Sequence, residues 1–313
     1  MEREDGKFFP KVMKADLVTD KLVELCKEKG VQIRFQEPVL SISKYGSQFS
    51  VTTHSQAVKC DFLILTTGGI TYPNTGSTGD GYRLAESMGH TIVKPKPALA
   101  PFLIRDYKWA HLSGISYDDI KVDILRKGKC IASLQDSVLF THTGVSGPAI
   151  LHLSRYAQKK DVVRLHLLDE RQSEQFANTL KNVISTKKTI KTILHGFGLV
   201  FRMIDLILPM CRISENDTPS QLGKEKRETL LQKLTHFDME IEDAGTIHNG
   251  MVTTGGVDLG EVNSKTMESR IVPFLFFAGE ILDIDGDSGG YNLQAAFSTA
   301  FTAAKEIKKR IVA

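Results

Sequence analysis

Between Pro273 and Phe301 the chain passes from an apolar run, through glycines and carboxylates, into a helical stripe. No other stretch restricts the fold as much. Pro273-Phe274-Leu275-Phe276-Phe277 is too short for a helix and predicts a buried strand. Asn292 has the character of an N-cap, and Leu293, Ala296, Phe297, Ala300, Phe301 and Ala304 after it recur at helical spacing, predicting a helix that buries this stripe. The loop between carries Gly279, Gly286, Gly289 and Gly290 with Glu280, Asp283, Asp285 and Asp287. Glycines let backbone N–H groups approach a ligand closely, and a helix N-terminus concentrates partial positive charge. Such a strand–loop–helix suits a phosphate or an electron-rich cofactor edge; the plainer reading is a tight βα connection that holds nothing.

The chain before it alternates in texture. Ala15–Lys29 predicts a helix ended by Gly30, and Val31–Phe35, Val39–Lys44, Phe49–Thr53 and Ala57–Leu65 read as strands. The last strand runs into Thr66-Thr67-Gly68-Gly69, and a second glycine-rich loop, Tyr72–Tyr82, opens a short helix over Arg83–Met88 that Gly89 would close. Helix, strands and glycine turns in this order describe part of a nucleotide-binding α/β domain. Prolines at 95, 97 and 101 mark a boundary around Lys94–Ala98.

Short alternating strands follow at Ala100–Ile104, Ile120–Leu125, Lys129–Leu134 and Val162–Leu167. A turn containing His142 precedes Pro148, which suits a first helical turn with Ser146 as its cap. Residues 169–236 read as polar and helical, with pieces near Glu174–Ile184, Lys191–Leu208 and Lys224–Leu234, before Met239–Glu242 returns as a strand. Three divisions result: 1–97 with 250–313, a β-rich insert over 98–168 with 237–249, and a helical insert over 169–236.

A net charge of +3, with basic residues scattered after the polar opening at Met1–Lys7, argues against a nucleic-acid surface. The four cysteines are far apart and form no CxxC, which fits a reducing compartment rather than a metal site. No leader or membrane-length apolar run is visible, so the expectation is a soluble, cytoplasmic protein acting on a small molecule.

Several motifs together resemble the YhiN-type, or aminoacetone-oxidase-like, FAD-binding flavoproteins. They are Phe9-Pro10, Thr67-Gly68-Gly69 with Tyr72-Pro73, Thr75–Tyr82, Leu139–Pro148, Thr254–Val257, Thr266–Ser269, Phe277–Glu280 and Gly289–Gln294. The resemblance spans almost the whole chain. It implies an α/β FAD/NAD(P)-binding Rossmann-like domain interrupted by a β-barrel-like insert that carries a helical subdomain. It also implies flavin-mediated hydride transfer between NAD(P)H and a small organic substrate, with aminoketone oxidation and enone reduction both within the family's range.

By the same resemblance Gly279, Glu280 and Asp285 fall in the second FAD motif, and Gly290, Asn292, Leu293 and Gln294 begin the helix facing the flavin. Thr67, Gly68 and Gly69 would let the cofactor pass closely, and Val39 would either touch adenine or simply pack. His142 is the first candidate catalytic group and Tyr291 the second, although a lone histidine in a turn is more often structural. The family's opening strand and GxGxxG turn have no counterpart here. The expectation is therefore a truncated domain with an open sheet edge, inviting self-association or a complementing chain. The alternative function is a non-catalytic remnant or interaction module that no longer holds FAD.

Overall fold

The computed structural model describes residues 6, 9, 10, 12, 14–182 and 187–312. Most of the charged start at Met1–Lys7, and the expected helix end at Ile184, lie outside the described residues. The chain forms two compact units, one of residues 1–69, 77–95 and 255–313, the other of 70–76 and 96–254.

The first unit opens with α1 (Asp16–Glu28), which Gly30 ends with a positive φ. None of its residues is buried: Leu17, Val18, Leu22 and Leu25 all face solvent. Val31–Phe35, predicted as a strand, is irregular, and Phe35 is 71% exposed. Alternation alone does not make a strand when no neighbour accepts its backbone groups.

An antiparallel meander follows, β1 (Val39–Tyr45), β2 (Gln48–Thr53) and β3 (Ala57–Cys60), with Ile42 and Phe49 buried. Gly46 turns its first hairpin in the left-handed conformation that a two-residue connection needs. The segment expected as one strand to Leu65 breaks after Cys60 and resumes as β4 (Leu63–Leu65). Next come α2 (Asp80–Ser87) and β5 (Ile92–Ala98). Pro95 and Pro97 sit inside this strand and Pro101 beyond it, and the two units divide between Pro95 and Lys96, within the boundary the prolines marked. β5 pairs with a single partner strand, the edge position where a missing N–H is tolerated.

The second unit is a closed antiparallel barrel of β6 (Phe102–Ile104), β7 (Ser116–Arg126), β8 (Lys129–Phe140), β9 (Gly144–Ser146), β10 (Val162–His166) and β11 (Phe237–Asp243), in the order β10-β11-β6-β9-β8-β7. Lys127 and Gly128, both at positive φ, close the long β7–β8 hairpin as a two-residue turn demands. Phe102, Phe140, Val145, Leu165, Phe237 and Ile241 fill the interior. At Gly144 a Cβ would lie 2.1 Å from the Phe102 carbonyl, so only glycine lets β9 approach β6.

After β9, α3 (Pro148–Leu153) starts on its proline as expected, but Gly147 is its N-cap and no side chain, Ser146 included, caps it. The helical module contains α4 (Glu170–Asn182), α5 (Ile190–Gly196), α6 (Phe201–Met210) and α7 (Lys224–Thr235). One helix was expected over Lys191–Leu208. Gly198, at φ +90°, divides it in two.

β12 (Val252–Val257) pairs with β5, and in the first unit β13 (Leu275–Phe277) runs parallel to β4. The chain ends in α8 (Tyr291–Val312). Its apolar stripe is not buried as the spacing predicts: Leu293, Phe297 and Phe301 are 67%, 55% and 69% exposed. The buried contact instead uses small residues, with Ala303 fully enclosed. Among the described residues no helix is long and apolar enough to cross a membrane.

Candidate functional site

Parallel pairing of β4 with β13 brings the two glycine-rich strand exits side by side, since Ala278 N–H donates to Leu65 O at 3.1 Å. Ligands of open α/β sheets bind beyond such carboxyl ends. Gly68 and Gly279 both turn the chain at left-handed φ, +73° and +77°. Thr67 Oγ1 beside them is buried and has no hydrogen-bond partner among the described residues. A Cβ on Gly81 would lie 1.8 Å from that oxygen, so glycine at the start of α2 allows this packing.

The loop from Gly279 to Gly290 is fixed from below by its own helix. Thr299 Oγ1 accepts from Gly279 N–H at 2.9 Å and donates to Ala295 O. Asn292 clamps the loop: its Oδ1 accepts from Gly286 N–H at 2.8 Å and its Nδ2 donates to Gly286 O at 3.0 Å. It is the second residue of α8 and not the cap that its sequence position suggested. Gln294 N–H is also occupied, closing the first helical turn on Gly290 O at 2.9 Å. Gly289 and Gly290 hold φ of +119° and +95°, and nothing lies within 4 Å of where a Cβ on Gly290 would project.

Glu280, Ile284, Asn292 and Ala296 line a small cleft here. Tyr82, absent from the residues the sequence singled out for the site although it ends the Tyr72–Tyr82 loop, donates its hydroxyl to Glu280 O at 3.3 Å. Burial, reinforced by Glu280 and Asp283, pushes its phenol far above the ordinary range, so it stays protonated.

A pedestal supports β13 from the other side. His90, its side chain 0% exposed, lies edge-on to Phe277 with ring centroids 4.7 Å apart. Its Nε2 is 2.9 Å from Ser269 Oγ, which accepts the backbone N–H of Ile271 and of Val272. With both lone pairs taken, the serine hydroxyl donates to Nε2, which makes His90 neutral there. Glu261 Oε2 lies 3.2 Å from Nδ1 as an electrostatic contact rather than an aligned hydrogen bond, and it accepts Thr91 N–H at 2.8 Å. Burial lowers the pKa of His90, and the Glu261 carboxylate opposes that shift. No sequence period pointed to His90; Ser269 was visible only as the end of a motif.

The other predicted residues are dispersed. Gly69 is buried just past β4, Tyr291 is exposed at the start of α8, and Asp285 is half-buried in the clamped loop. Val39 belongs to the meander, opposite Thr53, and not to the sheet that carries the loop. His142 is exposed in the β8–β9 turn of the barrel unit, a turn closed by Thr141 N–H on Gly144 O and Gly144 N–H on Thr141 Oγ1. Among the described residues no group of histidine, cysteine and carboxylate side chains could hold a metal ion.

These features fit the flavin end of FAD. Left-handed glycines leave backbone open, a helix of 22 residues turns its positive end toward the loop, and a carboxylate is placed to accept hydroxyl hydrogen bonds.

Comparison with known proteins gives the family. The family described as HI0933-like protein Rossmann domain matches residues 1–306. The chain is 30% identical over 293 residues to a ribosomal RNA dihydrouridine synthase of Escherichia coli (strain K12), covering 94% of this chain and 72% of that protein. It is 32% identical over 302 residues to the protein of the same name from Haemophilus influenzae, covering 95% and 73%. A 3-dehydro-bile acid delta(4,6)-reductase of Clostridium scindens is 30% identical over 313 residues, covering 97% and 76%.

Proposed function

The chain belongs to the HI0933-like Rossmann-domain family, and from that membership we propose that it is an FAD-dependent reductase of carbon–carbon double bonds conjugated to a carbonyl. The observation that carries this reading is the pair of glycine exits from β4 and β13 beneath the N-terminus of α8. The relatives' names supply the reaction class. Dihydrouridine differs from uridine by two hydrogens across a double bond conjugated to a ring carbonyl. A delta(4,6)-reductase of a 3-dehydro substrate also acts on double bonds of a keto-bearing frame.

Bound FAD would supply the hydride, replenished by NAD(P)H. This chain's own residues hold and bias the site. The N-terminal turn of α8 favours negative charge beside it, which accumulates on a flavin edge in the reduced state. The Glu280 carboxylate would accept hydroxyl hydrogen bonds from the bound cofactor, while Asn292 and Thr299 keep the loop in register. Adding hydrogen across the double bond consumes one hydride and one proton. The exposed Tyr291 hydroxyl is the donor we favour for the proton.

An anaerobic experiment tests the reading. The protein loaded with FAD should be bleached by NADH or NADPH, then regain its flavin absorbance on mixing with a 4-en-3-one steroid or with uridine. The saturated ketone should leave it bleached. Recovery with neither unsaturated compound, together with bleaching of oxidised flavin by an aminoketone, would favour amine oxidation instead.

A further inference from the structure

We infer that His90 is a proton-operated latch within the first unit, neutral while residues 261–272 are closed on β13 and charged when they are released. β4 occupies one edge of β13, and residues 267–269 occupy the other. Ser269 N–H donates to Leu275 O at 2.7 Å and Phe277 N–H donates to Met267 O at 3.0 Å, with Glu268 bridged antiparallel to Phe276. Met267 holds a left-handed φ of +61° in this segment, so the closed form carries backbone strain that its contacts must offset.

The hydrogen bonds of Ser269 make the contact sensitive to a proton. Its Oγ accepts Ile271 and Val272 N–H at 3.0 and 2.7 Å, which leaves no lone pair for a further donor. A proton on His90 Nε2 therefore sets two donors against each other across 2.9 Å, and one of the two turn bonds has to break. That turn fixes Ser269, whose own N–H is one of the bonds to β13. Burial acts in the same direction, because the His90 side chain is 0% exposed and lies against the Phe277 ring. Glu261, 3.2 Å from Nδ1, is the charged group that faces the imidazole, and it moderates the penalty without removing it. Glu268 is engaged by Arg310, and Arg270 Nε donates to Val262 O at 3.3 Å. Once released, the ring is solvated and titrates near its ordinary value of about 6.5. The closed form resists the proton, so release becomes easier as pH falls below about 6.5, by up to about tenfold per pH unit. Ala278 and Gly279 directly follow β13, so release would loosen the floor of the candidate site; that consequence, unlike the latch, rests on the proposed function.

Hydrogen exchange of the chain without cofactor, followed by mass spectrometry at about pH 7 and 5.5 and corrected for intrinsic rates, tests this. Peptides over residues 267–278 should exchange about tenfold faster at the lower pH, while those over β7 and β8 in the barrel keep their protection. His90→Gln, which offers Ser269 an acceptor but does not titrate, should abolish the response. Unchanged exchange over 267–278 in the wild type would overturn the proposal, whether or not the variant folds. So would an acceleration that the barrel shares, or one that persists in His90→Gln. No flavin enters the measurement, so its failure and the failure of the proposed function are separate results.

Discussion

Gly256→Ala is expected to destabilise the protein by about 3–5 kcal/mol, the sum of left-handed backbone strain and overpacking against main-chain atoms. Gly256 holds φ at +143°, and a Cβ there would lie 2.6 Å from Ile281 O, 2.7 Å from Leu282 C and 2.8 Å from Leu282 O. These are backbone atoms, so no side chain can swing away. The close approach has a purpose in the fold. Val257 N–H donates to Ile281 O and Asp283 N–H donates to Val257 O, which ties the end of β12 to the segment just past Gly279. Separating them would also move the floor of the candidate site. Urea unfolding measures the loss, read as a fall in midpoint at constant slope. Gly196→Ala at the end of α5, with no atom within 4 Å of the added methyl, should shift stability by no more than about 1 kcal/mol.

His90→Leu is expected to cost about 2–4 kcal/mol near neutral pH, because it leaves the buried Ser269 hydroxyl without its acceptor and Glu261 without its neighbour. It should also change the pH dependence. In the folded protein burial holds the His90 pKa below its ordinary value of 6.5. Above that value the imidazole is neutral whether folded or unfolded and contributes no slope. As pH falls below about 6.5 the unfolded chain takes up a proton that the folded one resists, so stability falls with acidification. The variant lacks that proton and should lose stability less steeply between about pH 6.5 and 5. Some slope should remain, because burial lowers His236 in the same direction. Unfolding midpoints at a series of pH values check both parts. A parallel pair of curves would show that His90 titrates freely and that the pedestal is not what fixes its charge.

The sequence showed the site's chain segments better than their packing. Phe274–Phe277, the glycine loop and the helix after it carry strong local signals, and the strand–loop–helix stands where they place it. So do five of the six barrel strands, whose alternation is reinforced by hairpin turns such as Lys127-Gly128; β9 (Gly144–Ser146) lies in what reads as a turn. What failed depends on partners that local pattern does not contain. Val31–Phe35 alternates but, among the described residues, pairs with no other strand. The α8 spacing located an amphipathic helix but assigned the wrong side to the interior, because alanines and Thr299 pack closely while the large residues face outward. Asn292 looks like a cap because asparagine often is one, and here its amide bonds Gly286 instead. His90 is separated along the chain from Glu261 and Ser269 by far more than any periodicity spans, so only the fold brings it to them.

In the proposed function the Gly279–Asn292 loop and the N-terminus of α8 hold the flavin end of FAD. Titrating the purified protein with FAD while recording the visible absorbance tests it most directly. A saturable shift of the flavin bands, with one flavin retained per chain after gel filtration, is the expected result. A protein that remains colourless after incubation with excess FAD would contradict the claim and favour an interaction module that no longer binds the cofactor.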